Sequence, residues 1–257
     1  SLKVELELEE MLHTTYAQFG NLYKDMGDYS KAIKNYYIAL GIEKEYELNM
    51  FVQQRYADLI FCYTNIGSYS IALKYLDKAG NINENFEDNL NRAIMMLSKA
   101  KIQYNYKGID SAIDYFEDSI EEAQIQGNTD LIVNIFIQVG LIYLYSDNYE
   151  KARRYITKAL KYAKKIKDNS TIVFKGKLAL AVLDSCLIDD FKKELFNLKK
   201  PEYYEYWYIA SFLKEADDEI SCICKSLLLK ESDKISSDND RESYLNNIKL
   251  NKKILSL

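Results

Sequence analysis

Four alanines at one fixed interval constrain the fold of this chain more than any other feature of its sequence. They are Ala32, Ala72, Ala112 and Ala152, each 40 residues after the one before. A tyrosine stands nine residues before three of these alanines, and another small residue follows each of them seven residues later (Ala39, Ala79, Ser119 and Ala159). Self-similarity at a fixed period predicts a stacked array of small, similar units.

Residue sizes within one period predict that each unit is a pair of packed helices. Tyr16, Gly20 and Tyr23 share one helix face, and Gly20 leaves room for a second helix to approach closely. The segment Met26-Gly27-Asp28 ends this helix, and Asp28 or the following serine can cap the next one. Ala32 then lies on the inner face of the second helix, where a larger side chain would overpack the crossing.

This pattern resembles a tetratricopeptide repeat (TPR). The first copy reads Tyr16, Phe19-Gly20, Tyr23, Gly27, Tyr29, Ala32, Tyr36 and Ala39. Copies that begin at Tyr56 and Phe136 match well, whereas the copy at Met96 carries Lys99 and Gln103 at positions that are apolar elsewhere. The resemblance implies an all-α fold, a right-handed TPR superhelix of antiparallel helix pairs with repeats of about 40 residues. It implies a binding scaffold and not an enzyme.

The register predicts four TPR-like repeats over residues 1–168, followed by degenerate pairs and a C-terminal capping helix of the same solenoid over residues 169–257. The expected helix pairs are 9–26 and 29–44, 49–66 and 69–83, 88–106 and 109–126, and 129–146 and 149–167. A fifth unit is expected at 170–199 and a sixth at 202–215 and 217–231. A polar loop is predicted at 232–243, and a helix at 242–256 is expected to cap the end of the stack.

The first residues alternate apolar and charged side chains as a strand would, but the register favours another interpretation. Residues 1–8 lie one period before residues 41–48, which form the end of one repeat and its link to the next. We therefore expect the chain to begin at the tail of a preceding element, as a fragment without its N-terminal domain would.

Composition excludes several function classes. The net charge of −5 and the isoelectric point near 5.2 argue against nucleic-acid binding by the chain as a whole. The sequence contains no run of 18 apolar residues, so it predicts no membrane span, and no signal peptide is evident. Cys62, Cys186, Cys222 and Cys224 lack zinc spacing, and His13 is the single histidine. We predict no catalytic residues, no metal, no cofactor and a cytoplasmic location with reduced thiols.

In a TPR stack the first helix of each pair lines the concave side, which we call the inner wall. Register points nine candidate ligand-binding residues at it: Asn21, Asp25, Gln54, Phe61, Asn65, Lys101, Asn105, Asn134 and Tyr145. Because an amide donates and accepts hydrogen bonds at once, amides beside apolar pockets suit an extended peptide. The alternative is that Asn65 and Asn105 are only helix C-terminal residues favoured before a turn. The lysine, asparagine and arginine clamp of chaperone-binding TPR domains is not matched.

One run of charge is prominent. Residues 151–177, here the basic run, contain ten Lys or Arg and one acid, Asp168. Most of the run lies on a predicted second helix and therefore on the convex side. It is either a solvated surface or a site for an acidic partner or a DNA backbone.

The extended repeat and the Lys-, Asn- and Ile-rich composition resemble the C-terminal TPR domain of the Rap/NprR/PlcR-like regulators of Gram-positive bacteria. That resemblance implies a short signalling peptide in the concave groove, a homodimer formed through the TPR region, and contact with nucleic acid only through a domain absent from this chain. Two alternatives stay open. One is a protein–protein interaction scaffold without a peptide switch, and the other is a regulatory domain of a larger enzyme.

Overall fold

A computed structural model describes residues 2–82, 89–164, 171–213 and 216–257 of the chain. The predicted boundary at residues 168–170 and the outer ends of three predicted helices, at 83, 88 and 167, lie outside these ranges. The helices are α1 (Leu2–Asp25), α2 (Tyr29–Glu45), α3 (Asn49–Asn65), α4 (Tyr69–Ile82), α5 (Asn89–Lys107), α6 (Ile113–Ile125), α7 (Thr129–Leu144), α8 (Tyr149–Ala163), α9 (Thr171–Leu183), α10 (Lys192–Phe196), α11 (Tyr204–Ala210), α12 (Asp218–Ser232), α13 (Asp238–Asn247) and α14 (Lys249–Leu255).

Consecutive helices pack in pairs, and the pairs stack on one another. Helix α1 packs on α2, α3 on α4, α5 on α6 and α7 on α8, and α2 and α6 each pack on the first helix of the following pair. Because the turns within the pairs are short, the two helices of a pair run antiparallel. The all-α solenoid of helix pairs predicted from the 40-residue period is confirmed.

The repeating tyrosine shapes the turn inside each pair through its backbone. The carbonyl groups of Tyr23, Tyr63 and Tyr143 each accept a hydrogen bond from the N–H five residues later, at 2.9 Å in all three cases. This bond closes the helix end in the way that a Schellman motif does. The turn needs a residue with positive φ, which Gly27 and Gly67 supply at 76° and 75°. In the fourth repeat Asp147 adopts φ 58° instead.

Small residues lie where the helices cross. The four repeat alanines are completely buried, as are Ser119 and the paired alanines of the first and fourth repeats. At Gly20 a Cβ atom would collide with the ring of Tyr36, and at Gly140 it would lie 2.5 Å from Ile156. Tyr36 is itself fully buried. These contacts confirm that the crossings depend on residues that lack bulky side chains.

A buried cluster of charges joins the first repeat to the second. Arg55 of α3 pairs with Glu43 of α2 at 3.2 Å and with Asp58 at 2.7 Å, and Lys24 of α1 also pairs with Asp58. His13 contacts Glu43 at 3.1 Å. Burial raises the pKa of Glu43 above its usual range, although Arg55 and His13 oppose that shift. The cluster therefore links three helices through groups that are removed from water.

The structure differs from several predicted boundaries. The helix predicted at 109–126 begins at Ile113, after a 3-10 turn at Ile109–Ser111, and the helix predicted at 202–215 is the shorter α11. Helix α1 begins at Leu2, because its leucines and glutamates are good helix formers. The polar segment predicted as a loop at 232–243 contains the start of α13, which Ser237 caps by accepting a hydrogen bond from the Asp240 N–H. The predicted last helix is broken at Ile248, whose backbone is extended.

Two glycines allow a matched test of the crossings. Gly20→Ala is expected to lower the free energy of unfolding by roughly 1–3 kcal/mol, because the buried Tyr36 ring cannot move away from the new methyl group. Gly41→Ala in α2, where a Cβ meets no atom within 4 Å, should raise it by about 0.5–1 kcal/mol through helix propensity. Urea unfolding followed by circular dichroism measures both. Equal effects of the two substitutions would contradict the close crossing.

Candidate functional site

A cavity of about 240 Å³ lies against the inner wall, and five of the nine predicted residues line it. They are Asn65, Lys101, Asn105, Asn134 and Tyr145. Three successive first helices, α3, α5 and α7, supply these side chains, since the 40-residue register sets equivalent positions side by side. Helices α9, α11 and α14 close the cavity with residues that include Lys175, Glu205 and Leu250. We call this space the wall cavity.

Four predicted residues lie outside the wall cavity. Asn21 is held by α2, because its side-chain oxygen accepts a hydrogen bond from the Tyr36 hydroxyl at 2.8 Å. Asp25 borders a separate cavity between α1 and the C-terminal helices. Gln54 is exposed on α3 and borders neither cavity. Phe61 forms the support beneath Lys101, whose ammonium lies 6.0 Å from the ring centroid. Ligand binding by these four residues stays a prediction.

Lys101 is the most unusual group of the wall cavity. Its Nζ donates to Asn65 Oδ1 at 3.3 Å, and among the described residues no carboxylate lies within 4 Å of it. Burial lowers the pKa of Lys101 to about 8, although Glu205 opposes this shift. The neighbouring charge of Lys175 adds to the lowering. A partly buried ammonium whose partners among the described residues are an amide and a ring is placed to receive an anionic group.

Lys175 and Glu205 form the second charged feature of the wall cavity. Their side chains pair at 2.5 Å, and the Tyr145 hydroxyl also donates to Glu205, at 3.4 Å. Although burial opposes it, the Glu205 carboxylate raises the pKa of Lys175 above its usual range. Glu205 is thus already engaged by Lys175 and Tyr145. The lining holds two ammonium groups and one carboxylate, a net charge of +1 when Lys101 is protonated.

Amide side chains complete the polar lining. Asn105 Nδ2 donates to the Lys101 carbonyl at 2.8 Å, and Gln138 donates to Asn134 Oδ1 at 2.6 Å. Asn65 Nδ2 likewise donates to the Phe61 carbonyl. The bonds of Asn65 and Asn105 to the carbonyl four residues earlier agree with their interpretation as helix C-terminal residues. Their oxygens accept hydrogen bonds from Lys101 Nζ and from the Lys249 N–H, and ligand binding by these two side chains stays a prediction.

Sequence reasoning missed Lys175, Glu205, Gln138, Tyr204 and Leu250. Four of them belong to the degenerate units after the fourth repeat, where the 40-residue register no longer assigns an inward position. Gln138 is on α7, one helical turn after Asn134. Extending the predicted inner-wall positions by one turn would have included it.

Helices α13 and α14, residues 238–255, form what we call the C-terminal arm. The arm was expected to cap the end of the stack, but it lies along the inner side instead. Its contacts reach successive repeats: Ser68 Oγ donates to Asp240 at 2.8 Å, the Lys249 N–H to Asn105 Oδ1 at 2.7 Å, and Lys253 Nζ to the Tyr145 carbonyl at 2.6 Å.

Gly67 explains how the arm comes so close to the wall. A Cβ at this position would lie 2.6 Å from the backbone oxygen of Ser243, so only glycine permits the approach. Asn247 Nδ2 donates to the Gly67 carbonyl at 2.9 Å and fixes the arm there. The arm therefore covers the end of the inner wall nearest the turns and leaves the wall cavity beside it.

The described part of the basic run covers α8 with cations. Lys151, Arg153, Arg154, Lys158 and Lys161 are exposed, while Ala152, Ile156 and Ala159 face the core. Arg153 pairs with Asp184, and Lys151 lies over the Tyr143 ring. These contacts hold parts of the run in place, and a role in partner binding stays a prediction.

The family match falls on two of the helix pairs. The family described as tetratricopeptide repeat matches residues 13–46 and 133–166, which are α1–α2 and α7–α8 with their flanking turns. The crystal structure of BtubC (BKLC) from P. vanneervenii is similar over 98% of this chain and 91% of that chain, with 14% sequence identity and a TM-score of 0.43. No match is found among curated protein sequences.

The architecture defines an α-solenoid, a class that binds partners along its stacked helices. The repeats specify it further: residues 13–46 and 133–166 match the tetratricopeptide-repeat model, and such repeats are protein-interaction modules. Within the described ranges, no helix combines the length and apolarity that a bilayer crossing requires. The same residues contain no group of three potential metal ligands.

The charge of Lys101 lowers the stability of the folded chain. Replacing Lys101 is therefore expected to raise the free energy of unfolding by an amount that depends on pH. Lys101→Met is expected to raise the free energy of unfolding near pH 7 by about 1–3 kcal/mol, because the native state no longer holds a partly buried ammonium without a carboxylate partner. The pKa of Lys101 is lower in the folded than in the unfolded chain, so between pH 8 and the ordinary lysine pKa of 10.5 the unfolded state binds more protons. The stability of the native chain therefore rises with pH across that range, and the advantage of the variant shrinks.

Denaturant unfolding of both proteins near pH 7 and near pH 10 checks this. Lys99→Met on the same helix is the matched control, because Lys99 lies over the Tyr115 ring outside the wall cavity. A gain for Lys101→Met that is constant with pH would show that the charge is not its cause.

Proposed function

We propose that the chain is a peptide-binding module whose wall cavity receives a carboxylate-bearing residue of a short peptide. The observation that carries the proposal is Lys101, a partly buried ammonium with no carboxylate of the described residues within 4 Å. An incoming carboxylate forms a charge-assisted hydrogen bond there, and such bonds are stronger than those between neutral groups.

Charge balance supports an anionic group in preference to a cationic or neutral one. The lining carries a net charge of +1, because Lys175 and Glu205 already compensate each other. One carboxylate brings the balance to zero. A cationic ligand would place a third positive charge beside Lys101 and Lys175, in surroundings where burial already disfavours the charge of Lys101.

Size and lining support a short segment over a long one. The volume of about 240 Å³ lies below the roughly 300–1,000 Å³ of sites for drug-sized ligands, so one or two residues fill it. Ile137, Leu141 and Leu250 provide apolar surface, and Asn134 and Gln138 provide amides for a peptide backbone. The C-terminal arm covers the adjoining stretch of wall, so a longer peptide has to displace it.

The alternatives from the sequence fit this proposal differently. A signalling peptide read by a bacterial regulator is one source of the proposed ligand, and the cavity supports the ligand chemistry but not that particular role. A folded partner protein that engages the convex side would need neither Lys101 nor the wall cavity. The experiment below separates these two cases.

Acetylated tripeptides with a free C-terminal carboxylate, and the same peptides as C-terminal amides, are the probes. Calorimetric titration is expected to detect the acids and to show binding at least about tenfold weaker for the amides, since a hydrogen bond to a charged group contributes about 1.5–3 kcal/mol. Lys101→Met should remove that preference, and Lys99→Met should leave it intact. Acid affinity should also fall as the pH rises through about 8, where Lys101 loses its proton. Equal affinities for acids and amides would overturn the proposal.

A second test asks whether the C-terminal arm competes with a longer peptide, and it removes one backbone hydrogen bond that holds the arm. Lys249→Pro removes the N–H that bonds to Asn105, and proline is tolerated because residue 249 opens α14 after an extended Ile248. We expect the arm to loosen, with faster amide exchange in α13 and α14. Peptides extended by several residues beyond the carboxylate should then bind more tightly to Lys249→Pro than to the native chain. Lys252→Ala, on the same helix, serves as control. Unchanged affinity for the extended peptides, with a loosened arm, would mean that the arm does not compete with ligand.

A further inference from the structure

The cavity that Asp25 borders lies beside the wall cavity and has a chemistry of its own. Its volume is about 340 Å³, and it lies where the turn between α1 and α2 meets α11, α12 and α13, so we call it the turn cavity. Asn65 and Tyr204 line both cavities, so the two spaces adjoin. A ligand seated in the wall cavity can therefore extend past these two side chains into the turn cavity.

The charge of the turn cavity is opposite to that of the wall cavity. Three carboxylates and one ammonium group line it: Asp25, Glu202, Glu231 and Lys24. Lys24 pairs with Asp58 at 3.0 Å. Lys234 lies next to the lining and pairs with Glu231 at 2.8 Å and with Glu202 at 3.6 Å. When all these groups are ionised, four carboxylates meet two ammonium groups, so the turn cavity lacks positive charge as the wall cavity lacks negative charge.

Glu231 of α12 is the most deeply buried carboxylate of the turn cavity, with 9% of its surface exposed. Its Oε2 atom pairs with Lys234, whereas no described residue donates a hydrogen bond to Oε1. A Cβ at Gly27 would lie 3.1 Å from Oε1, so the glycine leaves space in front of this oxygen. Burial raises the pKa of Glu231 above its usual range, and the charge of Lys234 opposes that shift. A buried carboxylate with one oxygen that lacks a donor favours an incoming ammonium group.

Tyrosine rings complete the lining of the turn cavity. Tyr29, Tyr204 and Tyr244 belong to α2, α11 and α13 and border the cavity together. An aromatic ring attracts an ammonium group electrostatically, and its apolar surface packs against the carbon atoms that carry that group. Carboxylates set among rings therefore suit an organic ammonium group, which interacts with both.

We propose that the turn cavity holds the free amino terminus of the peptide whose carboxylate lies at Lys101. The ligand is then a short peptide with both termini free, an inference that rests on the function proposed above and adds a second recognised group. Because Asn65 borders both cavities and its Oδ1 lies 3.3 Å from Lys101 Nζ, few residues separate the two termini. A lysine side chain offers the same charge, but it loses more rotamer freedom than an amine fixed to the backbone.

Calorimetric titration with three peptides that share a free carboxylate tests the proposal. They are trialanine, acetylated trialanine and acetylated Ala-Lys-Ala, used at about pH 6.5, where an α-amino group and Lys101 are both protonated. Trialanine is expected to bind at least about tenfold more tightly than its acetylated form, because the ammonium gains a charge-assisted hydrogen bond. It should also bind more tightly than acetylated Ala-Lys-Ala. The opposite order would assign the turn cavity to a side chain and overturn the proposal.

Substitutions in the turn cavity show where the amine binds. Glu231→Gln should remove most of the preference for the free amine, whereas Glu219→Gln, at an exposed residue of the same helix, should leave it intact. Asp25→Asn changes an exposed residue of the lining and should reduce the preference as well. Circular dichroism confirms that each variant keeps its helices, and Asp25→Asn decides the matter if Glu231→Gln does not fold.

Failure of this inference differs from failure of the proposed function. If acetylated acids bind in preference to their amides but a free amine adds nothing, the amino terminus lies outside the turn cavity and only this inference falls. If acids and amides bind equally, the proposed function falls and this inference with it. A preference for the free amine that persists in both Glu231→Gln and Asp25→Asn would also overturn the assignment to the turn cavity.

Discussion

The close crossing of the two helices in each pair is the constraint on which the rest of the structure depends. Complete burial of Ala32, Ala72, Ala112 and Ala152 lets the backbones approach, and Gly20 and Gly140 admit the side chains of Tyr36 and Ile156. Once the crossing is fixed, the turn follows from the tyrosine carbonyl and the glycine of positive φ. Stacking then repeats at the same period, and this repetition places Asn65 of α3 in line with Asn105 of α5.

Sequence predicts this part of the fold well because every contact that defines it is local or one period away. The turn residues, the buried alanines and most helix bounds of the first four pairs follow from the 40-residue register; the starts of α1 and α6 do not. The register fails after α8, where Glu194 replaces the repeat alanine and α10 is only five residues long. It also misplaces the start of α13, since the first turn of Asp238–Asn247 is polar and has no periodic apolar stripe by which to be recognised.

The residues of the candidate site also divide into those that the register predicts and those that it does not. Its five predicted members lie on regular first helices, where register alone gives the direction of a side chain. Lys175, Glu205 and Leu250 reach the wall cavity only because the chain after the fourth repeat folds back across the inner side. That return depends on contacts such as Asn247 with Gly67, which are 180 residues apart. No pattern of spacing reveals a contact over such a distance, so neither the arm nor its covering of the wall could be predicted.

The treatment of buried charge sets Lys101 apart from the rest of the stack. Arg55 is paired with two carboxylates, and Lys24 and Lys175 with one each. A stack built only for stability would treat Lys101 in the same way or replace it with an apolar residue, because an unpaired buried ammonium opposes folding. The equivalent residue one period later is Leu141, and the one before is Phe61, so the position itself imposes no need for charge. A charge that the fold neither requires nor neutralises is the reason we propose a ligand that supplies the opposite one.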